Sequence, residues 1–139
     1  MIRNPSKPLV VITGAAGGLA PAVARAFRSA GHPLALVTRP GGEDAVESLA
    51  QELAHEADSA AAGSTGTTLA TVATYGIDLA SPSGTRAGFA SIEAAQGPAG
   101  LLLNLAGGFA MGGPHDGGPE LLQHMLSINL HTAVNATSA

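Results

Sequence analysis

Residues 9–27, LVVITGAAGGLAPAVARAF, join a short apolar run to a helix through a glycine-rich turn. Leu9 to Thr13 is rich in β-branched residues, the composition of a central parallel strand covered on both faces. Helical spacing begins after the glycines, with Leu19, Val23 and Phe27 at i, i+4 and i+8 and Arg25 and Arg28 expected to point outward. Pro21 falls in the first turn, where its missing N–H costs nothing. Gly14 suits the tight turn, while Gly17 and Gly18 carry no Cβ to hold a ligand off the backbone. Ala20 stands where the helix must pack closely on the strand. Free N–H groups and the positive end of the helix dipole then favour an anion, such as a dinucleotide's pyrophosphate. With 19 glycines in 139 residues an ordinary tight turn is the plain alternative, so the other elements have to decide.

Those elements alternate. Leu34 to Thr38 reads as a second buried strand, with Gly31 capping the helix before it. A helix from Glu43 to about Ser59 carries Val46, Leu49, Ala50 and Leu53 on one face. Residues 60–68, AAAGSTGTT, read as a flexible surface insertion. A third strand is expected over about Leu69 to Tyr75, then a helix from Ser81-Pro82 carrying Phe89 and Ile92. A fourth strand is expected over Leu101 to Leu105. After a glycine-rich loop from Gly107 to Gly118, a last helix from about Glu120 carries Leu122, Leu126, Leu130 and Val134 as its apolar stripe. Four strand–helix alternations predict an α/β fold with a doubly wound parallel sheet in the order 3-2-1-4, and residues 1–139 as one domain. Gly14, Arg39, Asp78 and Asn104 then fall at or just after strand ends, on the rim where such sheets bind ligands.

Composition narrows the function classes. A net charge of −4, six Lys plus Arg and no basic run give nucleic acid or an anionic membrane little to bind. No apolar run approaches the length of a membrane span and the N-terminus lacks a secretion-signal layout, so the expectation is cytoplasmic. Without cysteine there is neither thiolate chemistry nor Cys-ligated zinc. The five histidines are too scattered to read as a metal site, and His115-Asp116 reads as loop polarity. Phe109 and Met111 either cover a ligand pocket or pack within their loop.

At the end of the second strand, a carboxylate would bind adenosine ribose hydroxyls and repel a 2′-phosphate. Here Thr38 and Arg39 offer a hydroxyl and a guanidinium, which suit a phosphomonoester and favour NADP(H) over NAD(H), unless Arg39 is a solvated loop residue. Asp78 either accepts from the adenine amino group or begins the next helix.

Thr13-Gly14-Ala15-Ala16-Gly17-Gly18-Leu19-Ala20, Asp78-Leu79, Asn104-Leu105-Ala106-Gly107 and Ser127-Ile128-Asn129-Leu130, in this order, resemble the short-chain dehydrogenase/reductase family over nearly the whole chain. The resemblance implies a Rossmann-like fold and NAD(P)-dependent hydride transfer with a small carbonyl or alcohol substrate. It implies that Gly14, Gly18 and Leu19 cradle the pyrophosphate and that Asp78 and Leu79 flank the adenine. Asn104, Ala106 and Gly107 would line the nicotinamide ribose, and Asn129 would help hold a water linked to the catalytic lysine. Asn104-Leu105-Ala106-Gly107 points to the shorter, single-domain branch rather than to the extended sugar-nucleotide epimerases. The family's chemistry needs a tyrosine with a lysine four residues later. Tyr75 is followed at that spacing by Leu79, and Lys7 precedes the first strand. The expectation is therefore the cofactor-binding half of a reductase, inactive alone and homo-oligomeric in its full-length form. A non-catalytic dinucleotide-binding or redox-sensing protein, or a sugar-nucleotide epimerase of the extended branch, is the alternative.

Overall fold

Residues 7–61, 71–112 and 115–139 are described by the computed structural model. Four parallel strands, β1 (Leu9–Thr13), β2 (Leu34–Thr38), β3 (Val72–Gly76) and β4 (Ala99–Asn104), form one sheet in the order β3-β2-β1-β4. This is the expected Rossmann-like arrangement. Between them run α1 (Ala20–Ser29), α2 (Glu43–Ala61) and α3 (Pro82–Gln96), and α4 (Pro119–Leu126) and α5 (Thr132–Ser138) follow β4. β3 begins at Val72 rather than Leu69, and β4 spans Ala99–Asn104 rather than residues 101–105. Ala60 and Ala61 belong to α2, and the rest of the segment expected as an insertion lies outside the described residues.

Every residue of β1 and β2 is buried, because helices cover both faces of the two central strands. Side chains still alternate. Val10, Ile12, Leu34 and Leu36 pack against Ala24 of α1 and Val46, Leu49, Ala50 and Leu53 of α2. Leu9, Val11, Ala35 and Val37 face the other way, onto Ile77, Leu79, Ile92 and Ala136. Burying one such aliphatic side chain contributes roughly 1.5–3 kcal/mol, so these two layers supply most of the driving force.

Two helix faces differ from the sequence pattern. In α1 the buried column is Ala20, Ala24 and Arg28, while Val23 and Phe27 pack half-buried beside it and Leu19 is 71% exposed. Leu19 is the residue before the first helical turn, so it projects from the loop, and the small alanines bring the helix close to the sheet. Arg28, expected to point outward, is instead 8% exposed, with Nε unpartnered among the described residues. Gly31 closes the helix as expected, donating to the Arg28 carbonyl while His32 donates to Phe27.

At the C-terminal end, Leu122, Leu126, Leu130 and Val134 are all exposed. The inward positions are the half-buried Leu121, Met125 and Ile128 and the buried Thr132 and Ala136. Apolar residues occupy adjacent columns here, and the bulkier column was the wrong one to bury. The helix is also not continuous: Ser127–His131 form a widened π-type turn in which Thr132 N–H reaches back five residues to the Ser127 carbonyl.

Candidate functional site

The turn between β1 and α1 is fastened to the loop after β4 by one hydroxyl. Thr13 Oγ1 donates to the Leu103 carbonyl at 3.3 Å and accepts from the amides of Leu105 and Ala106, each at 3.2 Å. That uses its single proton and both lone pairs. Gly14 follows with φ of 67°, and a Cβ there would stand 2.6 Å from the Ala106 nitrogen, so this position combines a left-handed backbone with direct backbone contact. Gly17 N–H closes the turn onto the Gly14 carbonyl at 2.8 Å, and Ala20 N–H onto Gly17 at 3.2 Å. The amides of Gly18 and Leu19 donate to no acceptor among the described residues. A Cβ on Gly18 would meet nothing within 4 Å. No side chain caps α1, so its N-terminus presents free donors and positive potential to open space.

At the tip of β2, Thr38 is buried and its hydroxyl lies where a Cβ on Gly42 would come within 2.7 Å. The hydroxyl therefore faces the turn that Arg39 opens at the carboxyl end of β2. Arg39-Pro40-Gly41-Gly42 is a tight turn closed by Gly42 N–H to the Arg39 carbonyl at 3.0 Å, with Gly41 at φ 84°. Arg39 is exposed, and no carboxylate pairs with it among the described residues. The turn also returns Glu43, at the start of α2, over the tip of β3, its carboxylate lying where a Cβ on Gly76 would stand. Thr38 and Gly76 are register partners, so this acidic group stands one strand from Arg39. Sequence reading missed it, because only the tightness of the four-residue turn brings it there.

After β3 the chain turns sharply. Asp78 is exposed, with Oδ1 accepting from Ala80 N–H at 3.0 Å, while Ser81 N–H reaches the Asp78 carbonyl at 3.2 Å. Ser81 then caps α3 by accepting from Gly84 N–H at 3.1 Å. The Asp78 carboxylate thus organises its own turn and leaves its second oxygen toward solvent. Leu79 is buried in the core, so what it offers the rim is its backbone.

After β4, Asn104 Nδ2 donates to Thr137 Oγ1 at 3.2 Å, tying the strand end to α5. Ala106 is half-buried against the core, and a Cβ on Gly107 would stand 2.7 Å from Asn129 Oδ1. Asn129 sits within the π-type turn. Its Oδ1 accepts from Gly108 N–H at 3.1 Å, and its Nδ2 donates to the carbonyls of Gly108 and Met125, both at 3.0 Å. Both amide protons are used, so this side chain acts by holding the Gly107–Gly108 loop and is a positioning residue. Thr13 stood in the glycine motif without a role of its own, and Thr137 and Asn135, which donates to the Leu79 carbonyl at 2.8 Å, were not singled out in the sequence, since isolated Thr and Asn residues carry no pattern.

The rim thus assembles Gly14, Gly17, Gly18, Leu19, Arg39, Asp78, Asn104, Ala106 and Gly107 at the carboxyl ends of the strands. Tyr75 is elsewhere, half-buried with its hydroxyl donating to Gln96 Oε1 at 3.1 Å, and burial pushes its pKa above 10.0. Lys7 binds the Ala30 carbonyl, at the opposite end of the sheet. Phe109 and Met111 are exposed on the loop after β4. His32 Nδ1 donates to the Pro8 carbonyl and its ring stacks edge-on against Phe27. No group of three potential metal ligands gathers among the described residues, and no helix among them is long and apolar enough to cross a membrane.

The sequence matches the family model described as short chain dehydrogenase over residues 8–139. The chain belongs to that family. Among solved structures, the short-chain type dehydrogenase/reductase from Mycobacterium marinum superposes with a TM-score of 0.81 at 21% identity, covering 96% of this chain and 48% of that one. L-sorbose reductase from Gluconobacter frateurii, complexed with NADPH and L-sorbose, gives 0.77 at 25% identity, over 96% of this chain and 46% of that one. A putative D-mannonate oxidoreductase from Haemophilus influenza with bound NAD gives 0.77 at 18%, over 97% and 49%. This short-chain dehydrogenase chain spans about half the length of the solved structures it matches. No curated protein sequence matches it.

Proposed function

We propose that residues 1–139 are the dinucleotide-binding part of an NADP(H)-dependent short-chain oxidoreductase acting on a small carbonyl or alcohol. The observation that carries this reading is the pair of unpartnered amides at Gly18 and Leu19, at an uncapped helix start with open space beyond Gly18. Their donors and the helix dipole fit a pyrophosphate. The bound nicotinamide would supply or accept the hydride. The chain's residues orient it: Thr13 and Asn129 hold the loop of Ala106 and Gly107, where the nicotinamide ribose would lie. Arg39 would take the 2′-phosphate and Asp78 would border the adenine.

Arg39 is exposed, held at the start of a closed turn and free of any carboxylate partner among the described residues, which favours the phosphorylated cofactor. Glu43 tempers that preference from the neighbouring strand tip. Calorimetric titration of NADPH and NADH into the chain and its Arg39→Ala variant tests the reading. The variant should lose about 1.5–3 kcal/mol for NADPH, the worth of hydrogen bonds to a charged group, and little for NADH. Equal losses would show that Arg39 does not read the phosphate.

By itself the chain should bind cofactor without turning over substrate. Its tyrosine is engaged with Gln96 and its lysine with Ala30, so neither can exchange a proton with a substrate oxygen at the rim. Absorbance of NADPH in the presence of ketones and aldehydes should stay constant. That same arrangement is what favours the second reading, a non-catalytic dinucleotide sensor.

A further inference from the structure

The helical segment after β4 reaches into both halves of the rim through three polar side chains. Asn129 brackets Gly108, Thr137 accepts from Asn104, and Asn135 donates to the Leu79 carbonyl at 2.8 Å. The first two partners lie in or beside the loop after β4. The third lies on the far side, in the turn after β3. Within that turn the Asp78 carbonyl is taken by Ser81 N–H and the Asp78 carboxylate by Ala80 N–H, whereas among the described residues the Leu79 carbonyl receives its donor only from α5, 56 residues away in sequence. Leu79 is anchored below by its buried side chain, so a single hydrogen bond from above fixes the orientation of its peptide plane and of the Asp78–Ala80 turn.

We propose that Asn135 is a positioning residue for the adenosine end of the rim, and that α4 to α5 act as a strap in which Asn129 and Asn135 each hold one loop. The inference rests on reading this rim as a dinucleotide site. Its consequence is a division of labour: loosening Asn135 frees the Asp78–Leu79 turn and leaves the Gly107–Gly108 loop in place, while loosening Asn129 does the reverse.

Binding of two half-ligands separates these effects. Adenosine 2′,5′-bisphosphate and nicotinamide mononucleotide would each be titrated by NMR into the 139-residue chain and its Asn135→Ala, Asn135→Asp and Asn129→Ala variants. Losing one modest hydrogen bond should weaken the adenosine ligand roughly three- to tenfold in Asn135→Ala and leave the mononucleotide unchanged. Asn135→Asp keeps the shape but removes the donor and sets a carboxylate against a carbonyl, so it should be at least as weak. Asn129→Ala should show the opposite selectivity. Wild-type affinity in Asn135→Asp, or equal weakening of both ligands by Asn135→Ala, would overturn the proposal. Should the unaltered chain bind neither ligand, the dinucleotide reading itself falls and takes this inference with it. A selective loss confined to the Asn135 variants would leave that reading standing and support the strap.

Discussion

The same substitution at two glycines four residues apart should have opposite consequences. At Gly14, φ is 67° and a Cβ would stand 2.6 Å from both the Ala106 nitrogen and the Leu105 carbonyl carbon. Alanine in a left-handed conformation costs about 1–2 kcal/mol. The clash is with backbone, so no rotamer relieves it. The turn and the β4 loop must separate by about 0.8 Å to reach ordinary contact at 3.4 Å, which stretches the two 3.2 Å bonds at Thr13 beyond hydrogen-bonding range. Overpacking of this kind costs about 1–3 kcal/mol, so Gly14→Ala should lose about 2–5 kcal/mol of a total on the order of 5–15. At Gly18 a Cβ meets nothing within 4 Å, so Gly18→Ala should change stability by no more than about 0.5 kcal/mol while intruding on the space a pyrophosphate needs. Urea denaturation of both variants, followed by NADPH titration of Gly18→Ala, gives the readout. A Gly14→Ala chain as stable as the parent would refute the close-approach argument. A Gly18→Ala chain with undiminished cofactor affinity would refute the pyrophosphate assignment.

Three other outcomes follow from named contacts. Thr13→Val keeps the side chain's shape but strands the amide of Ala106, while Leu105 N–H keeps its bond to the Leu103 carbonyl, and should cost about 1–3 kcal/mol in denaturant unfolding. Glu43→Gln removes a negative charge one strand from Arg39, within about a Debye length of 8–10 Å, and should tighten NADPH about two- to fivefold in low salt with NADH little changed. Tyr75 is the sole tyrosine, and burial raises its pKa, so tyrosinate absorbance should titrate at higher pH in the folded chain than in the unfolded one. Because the folded value exceeds the unfolded one, its stabilising contribution is complete below about pH 10 and is lost as pH rises through the folded pKa, which unfolding measured across that window would show.

Strand order and both central strands were legible because each central strand is a short, nearly continuous apolar run, the pattern that two-sided burial produces. The rim was legible for the same reason: Gly14, Arg39, Asp78 and Asn104 follow apolar runs, and strand ends in a parallel sheet all face one way. Helix faces were harder. In α1 the alanines at 20 and 24 are buried and the larger Leu19 is exposed, because close helix-on-sheet packing selects small residues that a hydrophobicity pattern undervalues. In α4 and α5, neighbouring apolar columns gave two possible inward faces, and only packing on the sheet chooses between them. Thr38 ends β2 with its hydroxyl under Gly42, inside the turn that Arg39 opens, a closeness set by the glycines of that turn. Glu43, Asn135 and Thr137 depend on contacts between segments far apart in sequence, which no local spacing encodes.

The central claim is that the β1–α1 turn, Arg39 and the loops after β3 and β4 form one dinucleotide site. Amide chemical-shift mapping of the isotopically labelled 139-residue chain during NADPH titration tests it most directly. The account predicts saturable shifts concentrated at Gly17, Gly18, Leu19, Arg39, Asp78 and Gly107. Absence of saturable shifts, or shifts gathered instead at the opposite sheet end around Lys7 and Gly31, would contradict it.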